Sequence, residues 1–295
     1  MKIGLIGTGM LGNATGIHLL QSGFQLTAYN RTREKTKELE KYGANIVSSP
    51  KEVGENSEII IIVVKDADVV HQVSFEKDGI IHGNLKNLIV CDMSTINPIK
   101  SKRITDKFSE YNISKLDTPV MGGPNVAING ELIMMASGNQ NIFDKCKKLL
   151  DTIANQVFYL GESGTAHSVK LALNLQITML ALAISEGITF ARALNIDPKI
   201  FLEVLNSTYF KTGMSENKAY RMIQDNFNPT FTLENLKKDI DTISETSESF
   251  GLELPMMDKA RETYQNAVQV GFGKLDYTGI LAYIKKLNEK SSSQI

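Results

Sequence analysis

Residues 2–12 read KIGLIGTGMLG: a short apolar run, three glycines spaced Gly7-x-Gly9-x-x-Gly12, and the opening of the helical pattern MLGNATGIHLL. Glycines at this spacing permit a tight turn and a close backbone approach. The helix start that follows turns unpaired N–H groups toward a pyrophosphate. A generic strand-to-helix turn can carry the same letters, so context decides. Here the loop follows a strand, opens a helix and leads to a second β-rich run, QLTAY, ending at Tyr29. Gly7, Thr8, Gly9, Met10, Leu11 and Gly12 are therefore candidate dinucleotide-binding residues. After Tyr29, where a carboxylate would accept from a ribose 2′-hydroxyl, the chain has Asn30-Arg31-Thr32-Arg33. Without that carboxylate a 2′-phosphate is not repelled, Arg31 offers it a planar fork, and Asn30 and Thr32 add neutral donors. NADP is the expected cofactor.

Outward from this loop, strand runs KIGLIG, QLTAY, EIIIIVV, NLIVC, ELIMMAS and QVFYL alternate with helical patterns to about residue 160. Ile59–Val64 is apolar without alternation, as suits a strand covered on both faces. The fold class expected is α/β: an N-terminal Rossmann-type, doubly wound, largely parallel sheet, followed by an all-α C-terminal domain. The domains expected are 1–162 for NADP binding and 163–295 for substrate and oligomerisation. Helices are predicted at roughly 164–193, 197–206, 214–224, 232–250, 255–270 and 276–289. Asp197-Pro198, Pro255 and Asp276 supply starts. No Gly-, Ser- or Pro-rich linker separates the halves, so the helix near Gly164 is expected to connect them. The tail SSSQI is expected to fray.

With 32 Lys and Arg against 33 Asp and Glu, no net field would hold a polyanion, and nucleic acid is not an expected partner. The start of the chain lacks signal-peptide character. Leu171–Ile184 is read as too short to span a bilayer, interrupted by Asn174, Gln176 and Thr178, and as a buried helix. Cys91 and Cys146 show no framework spacing and read as free thiols in a reducing, cytoplasmic setting. The histidines are scattered; His18, His71 and His82 give no metal constellation, and His167 is expected to be partly exposed at a helix start.

Further motifs fall in a definite order: Asp92-Met93-Ser94-Thr95, then Asp117-Thr118-Pro119-Val120-Met121-Gly122-Gly123-Pro124, then Gly161-x-x-Gly164 followed by Lys170 and Asn174, and finally Phe231 with Lys238-Asp239. With the glycine loop, they make nearly the whole chain resemble the β-hydroxyacid dehydrogenases, which include 3-hydroxyisobutyrate dehydrogenase and glyoxylate/succinic semialdehyde reductase. The turn at Met121, Gly122 and Gly123 is a nest of N–H groups fit for a carboxylate, and the resemblance implies that use. Relatives commonly have Ser where this chain has Met121, which exchanges a hydroxyl donor for a thioether.

Lys170 and Asn174 lie one turn apart on an apolar helix. A lone lysine there usually snorkels to water. The resemblance instead implies that Lys170 is the acid/base, with Asn174 orienting it and the substrate. An ammonium can stabilise the growing carbonyl oxyanion and give it a proton, and partial burial lowers a lysine's pKa toward working pH. Thr95, after a strand end, is read as a cofactor-ribose or substrate contact, or else as a helix cap; Val63 and Val64 are read as cofactor packing or plain core. The resemblance also places Phe231 and Asp239 near the substrate and Lys238 near the cofactor.

The expected substrate is a small carboxylate-bearing aldehyde, keto acid or 3-hydroxy acid. 3-Hydroxyisobutyrate oxidation is the nearest alternative, and imine reduction or a non-catalytic dinucleotide-binding module are further ones. The long apolar helices suggest a homodimer or homotetramer through the helical domain.

Overall fold

In the computed structural model, residues 1–83 and 86–292 are described. The last three residues of the expected frayed tail lie outside them. The chain divides into two compact units, Met1–Leu171 and Ala172–Ile295, with the division inside one helix, Thr165–Ala193.

The first unit holds a sheet of nine strands among the described residues. They are β1 (Lys2–Ile6), β2 (Gln25–Tyr29), β3 (Asn45–Ile46), β4 (Ile59–Ile62), β5 (Ile89–Asp92), β6 (Ser114–Asp117), β7 (Val120–Met121), β8 (Leu132–Gly138) and β9 (Ala154–Tyr159). The order is β3-β2-β1-β4-β5-β6-β8-β7, with β9 paired to β8. Pairing is parallel from β3 across to β6, antiparallel for β6–β8 and β7–β8, and parallel again for β8–β9.

The four isoleucines of β4 show why the sheet is doubly wound. Ile59 and Ile61 enter one core with Leu5, Ile17, Leu26 and Phe143, while Ile60 and Ile62 enter the opposite core with Val70, Val90, Ile104 and Phe108. Alternate side chains point to opposite faces, and each face is covered by helices. Burying one such side chain contributes roughly 1.5–3 kcal/mol. The order reverses between β1 and β4, so the crevice beyond their carboxyl ends is where an open α/β sheet takes its ligand.

The six strand runs recognised in the sequence all form strands; β3, β6 and β7 are additional. β6 is SKLD, and its charged residues hide a central strand, buried from Lys115 to Asp117, from a hydrophobicity reading. β3 and β7 have only two residues each.

In the second unit, a core of Ile184, Ile188, Leu202, Ala219, Met222, Phe227 and Leu281 joins the helices. Asp197, Thr212 and Thr232 cap helix starts through their side chains, and Asp276 caps a short 3-10 turn. The helix expected at 214–224 is two, Gly213–Asn217 and Ala219–Ile223. That expected at 255–270 ends at Ala267 and continues as a π turn to Phe272, where Gly271 takes φ of 98°.

The long helix corrects a sequence expectation. It runs 29 residues, and by length and composition it is apolar enough to cross a membrane, with a mean hydropathy of 1.5 in its most apolar window. One such helix is weak evidence, because the core helix of a soluble protein meets the same test. Nor is it simply buried: 39% of that window is enclosed, and Ala172 and Gln176 are exposed.

Candidate active site

The glycine loop begins where β1 ends. Gly7 takes φ of 98° and donates its N–H to Tyr29 O at 3.0 Å. A Cβ on Gly7 would fall 2.1 Å from the carbonyl oxygen of Val63, beyond the end of β4, and one on Gly12 would fall 2.0 Å from the carbonyl oxygen of Gly7. These two glycines are needed by the backbone itself. Gly9 is different: it caps helix Met10–Gln21, and a Cβ there would meet nothing within 4 Å. This open cradle at a helix N-terminus fits a pyrophosphate.

Thr8 N donates to Asn30 Oδ1 at 3.0 Å, and Thr8 Oγ1 to Lys35 O at 2.9 Å. Asn30 also donates from Nδ2 to Thr32 O at 2.9 Å. Its amide therefore braces the loop, a role not visible in the sequence, where it was read as a donor to a 2′-phosphate. Arg31 and Thr32 are exposed at the rim, Met10 is exposed, and Leu11 is half-buried. Val63 and Val64 are half-buried beyond β4, and Val64 N donates to Ser94 Oγ at 3.1 Å. This bond ties the end of β4 to the loop after β5 that bears Thr95, itself half-buried.

Met121 ends β7, opposite Ile133 of β8. Gly122 is exposed with φ of 122°, a conformation in which glycine is favoured, and Gly123 is half-buried at the start of helix Pro124–Ala127. Lys170, half-buried, directs Nζ to within 3.1 Å of Met121 Sδ. The structure thus brings the expected acid/base to Met121, at the head of the glycine turn. Thr118 Oγ1 nearby in the chain is buried without a hydrogen-bond partner.

In the helical unit, Asn174 is buried and donates from Nδ2 to Asp239 Oδ2 at 2.7 Å, leaving its own Oδ1 buried without a partner. Asp239, inside helix Leu233–Ser249, also pairs with Lys238. The Asn174–Asp239 bond was not foreseen from spacing, which linked Asn174 to Lys170 alone. Phe231 is half-buried, with its ring centroid 6.0 Å from that of Tyr277, and its carbonyl accepts from Tyr277 N at 2.9 Å. A groove of about 1070 Å³ in this unit, lined by Gly187, Phe190, Lys259, Tyr283 and Leu287 among others, contains none of these residues.

The sequence reading missed a buried ionic cluster in the first unit. Lys115, Asp117, Asp92 and His167 are each fully buried. Lys115 pairs with Asp117 and stands 3.7 Å from Asp92, while His167 Nε2 lies 3.4 Å from Asp117 Oδ1. That last separation is an ion-pair distance without hydrogen-bond geometry, and neither ring nitrogen of His167 has a hydrogen-bond partner. The expectation of a partly exposed His167 is corrected: the first turn of its helix packs inside the unit. Burial pushes the Asp117 carboxyl up, but the Lys115 ammonium, with the His167 ring beside it, outweighs this and holds it well below the usual carboxylate range. Burial pushes Lys115 down, and Asp117 with Asp92 more than reverses this. Opposite charges two residues apart in β6 were the available signal. Cys91 and Cys146 are free, buried thiols.

A doubly wound sheet, a glycine loop at its switch point and a separate helical unit define a dinucleotide-binding protein. Residues 2–161 match the NAD-binding domain of 6-phosphogluconate dehydrogenase, and residues 164–284 match the model described as NAD-binding of NADP-dependent 3-hydroxyisobutyrate dehydrogenase. The chain is 30% identical over 281 residues to 2-hydroxy-3-oxopropionate reductase of Escherichia coli (strain K12), covering 95% of this chain and 96% of the relative. It is 27% identical over 285 residues to glyoxylate/succinic semialdehyde reductase 1 of Arabidopsis thaliana, covering 97% and 99%. The crystal structure of 3-hydroxyisobutyrate dehydrogenase from Salmonella typhimurium superimposes with a TM-score of 0.86 at 24% identity, over 96% of this chain and 99% of that one. The chain belongs to the β-hydroxyacid dehydrogenase family.

Proposed function

We propose that the protein is an NADPH-dependent reductase of small carboxylate-bearing aldehydes or keto acids, with oxidation of the corresponding hydroxy acid as the reverse reaction. The observation that carries this reading is the half-buried ammonium of Lys170 beside Met121, at the head of the Gly122-Gly123 turn. Bound nicotinamide supplies the hydride. Backbone donors at Gly122 and Gly123 hold the substrate carboxylate, and Lys170 stabilises the growing oxyanion and delivers the proton. In the reverse direction its neutral amine takes the hydroxyl proton. Arg31, exposed and without an acidic neighbour at the ribose position, favours the 2′-phosphate and hence the reductive direction. Reductases of 2-hydroxy-3-oxopropionate and of glyoxylate/succinic semialdehyde among the relatives support the substrate class.

The protein on this reading is cytoplasmic, which suits two unpaired buried thiols. It self-associates through its helical unit, where Phe190, Leu194, Ile200 and Val204 are exposed.

The test is Lys170→Ala assayed with glyoxylate, succinic semialdehyde and methylmalonate semialdehyde. A general acid–base group contributes about 10²–10⁴-fold, so turnover should fall at least about a hundredfold with NADPH affinity nearly unchanged. Lys170→Arg should not restore it, because a guanidinium keeps its proton. Near-normal turnover in the alanine variant would reject the mechanism.

A further inference from the structure

We propose that Asp117 is a positioning residue, whose single carboxylate fixes the three segments bearing Thr95, Met121–Gly123 and Lys170. The inference rests on the acid/base reading of Lys170.

The carboxylate is saturated from several directions. Oδ1 accepts from Ser101 Oγ at 2.6 Å and from Lys115; Oδ2 accepts from Ser137 Oγ at 3.1 Å, Ser163 Oγ at 3.0 Å and Gly164 N at 2.6 Å. Three of these donors, Ser101, Ser163 and Gly164, sit beside a candidate segment. Ser101 is in the first turn and a half of helix Pro98–Ser109, just after Thr95. Asp117 itself ends β6, four residues before Met121. Ser163 and Gly164 form the turn into the helix that carries Lys170, and Ala166 N on that helix donates to Ser137 Oγ at 3.1 Å.

Two further contacts close the arrangement. Lys115 Nζ donates to Ser101 Oγ at 2.9 Å and stands 3.7 Å from Asp92, whose other oxygen accepts from Ser94 N at 3.0 Å, beside Thr95. Gly164, with φ of 94°, comes so near Pro98 that a Cβ would lie 3.2 Å from its carbonyl oxygen. The turn into the Lys170 helix and the helix after Thr95 are thus bonded to one buried anion, and their backbones pass close to each other at Gly164 and Pro98. A carboxylate has about four lone-pair sites, so this many donors leave it little freedom to turn. Misplacement of a reacting group by about 1 Å can cost 10²-fold in rate, which makes the starting point of the Lys170 helix a catalytic quantity. A buried ionic cluster can also be structure alone, so the test must separate the two.

Two sets of variants do so, with Lys170→Ala measured alongside. Asp117→Asn combined with Lys115→Met removes the ion pair, although it leaves Asp92 buried without the neighbouring ammonium. Ser163→Ala removes one donor, and Ser163→Thr keeps the hydroxyl. For each, the thermal midpoint, the NADPH dissociation constant and kcat per NADPH-binding site are measured on the best aldehyde acid. The double variant should bind NADPH within about twofold of the parent while kcat falls at least about tenfold. Ser163→Ala should lose kcat several-fold at unchanged NADPH affinity, and Ser163→Thr should regain it. Folded variants with parental kcat, or a loss of kcat and NADPH affinity in step with the thermal midpoint, would overturn the positioning role. Should the double variant fail to fold, the Ser163 pair decides. Lys170→Ala with normal turnover would sink the acid/base reading itself and this inference with it. An inactive Lys170→Ala beside fully active Asp117 and Ser163 variants would sink the positioning role alone.

Discussion

Replacing Gly9 by alanine should separate cofactor binding from folding. At this position φ is −67° and ψ is −173°, which alanine adopts freely, and the new methyl would have no atom within 4 Å. Two small effects oppose each other. Alanine caps a helix less well than glycine, while losing a glycine reduces the entropy of the unfolded chain by about 0.4–1 kcal/mol. The net change should stay within about 0.5 kcal/mol, or roughly 2 °C in the thermal midpoint. Binding should respond quite differently, because the methyl occupies the open cradle to which a pyrophosphate must come close. Losing one charge-assisted hydrogen bond costs about 1.5–3 kcal/mol, so NADPH affinity should fall about ten- to 150-fold. Fluorescence titration with NADPH and a thermal melt on the same preparation measure both quantities. Gly12→Ala is the control of opposite kind: its Cβ would stand 2.0 Å from Gly7 O, backbone against backbone, and its melt should fall sharply. A Gly9→Ala protein that binds NADPH like the parent would refute the placement of the pyrophosphate against Gly9.

Arg31→Ala should lower NADPH affinity about ten- to a hundredfold and leave NADH nearly unaffected, checked by titrating both; an unchanged preference would count against the arginine. Met121→Ser should raise kcat/KM for the smallest polar acids, such as glyoxylate, because it restores a hydroxyl beside Lys170 Nζ; an unchanged substrate profile would place the side chain outside substrate contact. Acid stability should depend on Asp276. Burial pushes this carboxyl up, but Lys218 and hydrogen bonds from Thr230 and Thr278 hold it below the usual value. A depressed carboxylate stabilises the fold above its unfolded pKa of about 3.9, and that contribution is lost as pH falls through the lower folded value. Between pH 5 and 2, Asp276→Asn should therefore show a shallower decline in thermal midpoint than the parent; equal slopes would rule out this linkage.

Much of the frame could be read from residues 2–30 and the apolar runs, because glycine spacing and uninterrupted isoleucines each have few structural solutions. The order of the strands was not legible, because β3, β6 and β7 escape a search for apolar runs. What escaped was polar. SKLD looks like a loop until its strand is known to be central, and neither Lys115 nor Asp117 announces that its counter-charge is buried beside it. His167 was misplaced for the same reason: a histidine at a helix start is exposed by default, and only packing of that turn encloses it. Asn30 shows the opposite limit, since its type and place were legible but its bonds to Thr8 and Thr32 were not. Motifs reveal which residues converge; they do not reveal which of them hold the others.

The charges within β6 also bear on how the chain finds its sheet. β4 is four identical side chains, so sliding it by two residues keeps isoleucine on each face over much of its length and is opposed only weakly by its own composition. β6 tolerates no such ambiguity. Asp92 and Asp117 are direct neighbours across β5 and β6, and a two-residue shift that set Asp92 opposite Pro119 would draw it away from Lys115 and leave a buried charge without its partner. A one-residue shift would turn Lys115 and Asp117 into the face now held by Leu116. The polar strand thus acts as a fiducial mark beside a strand that lacks one. Alignments that turn these charges into the apolar face, or part Asp92 from Lys115, carry an electrostatic cost that β4 cannot impose.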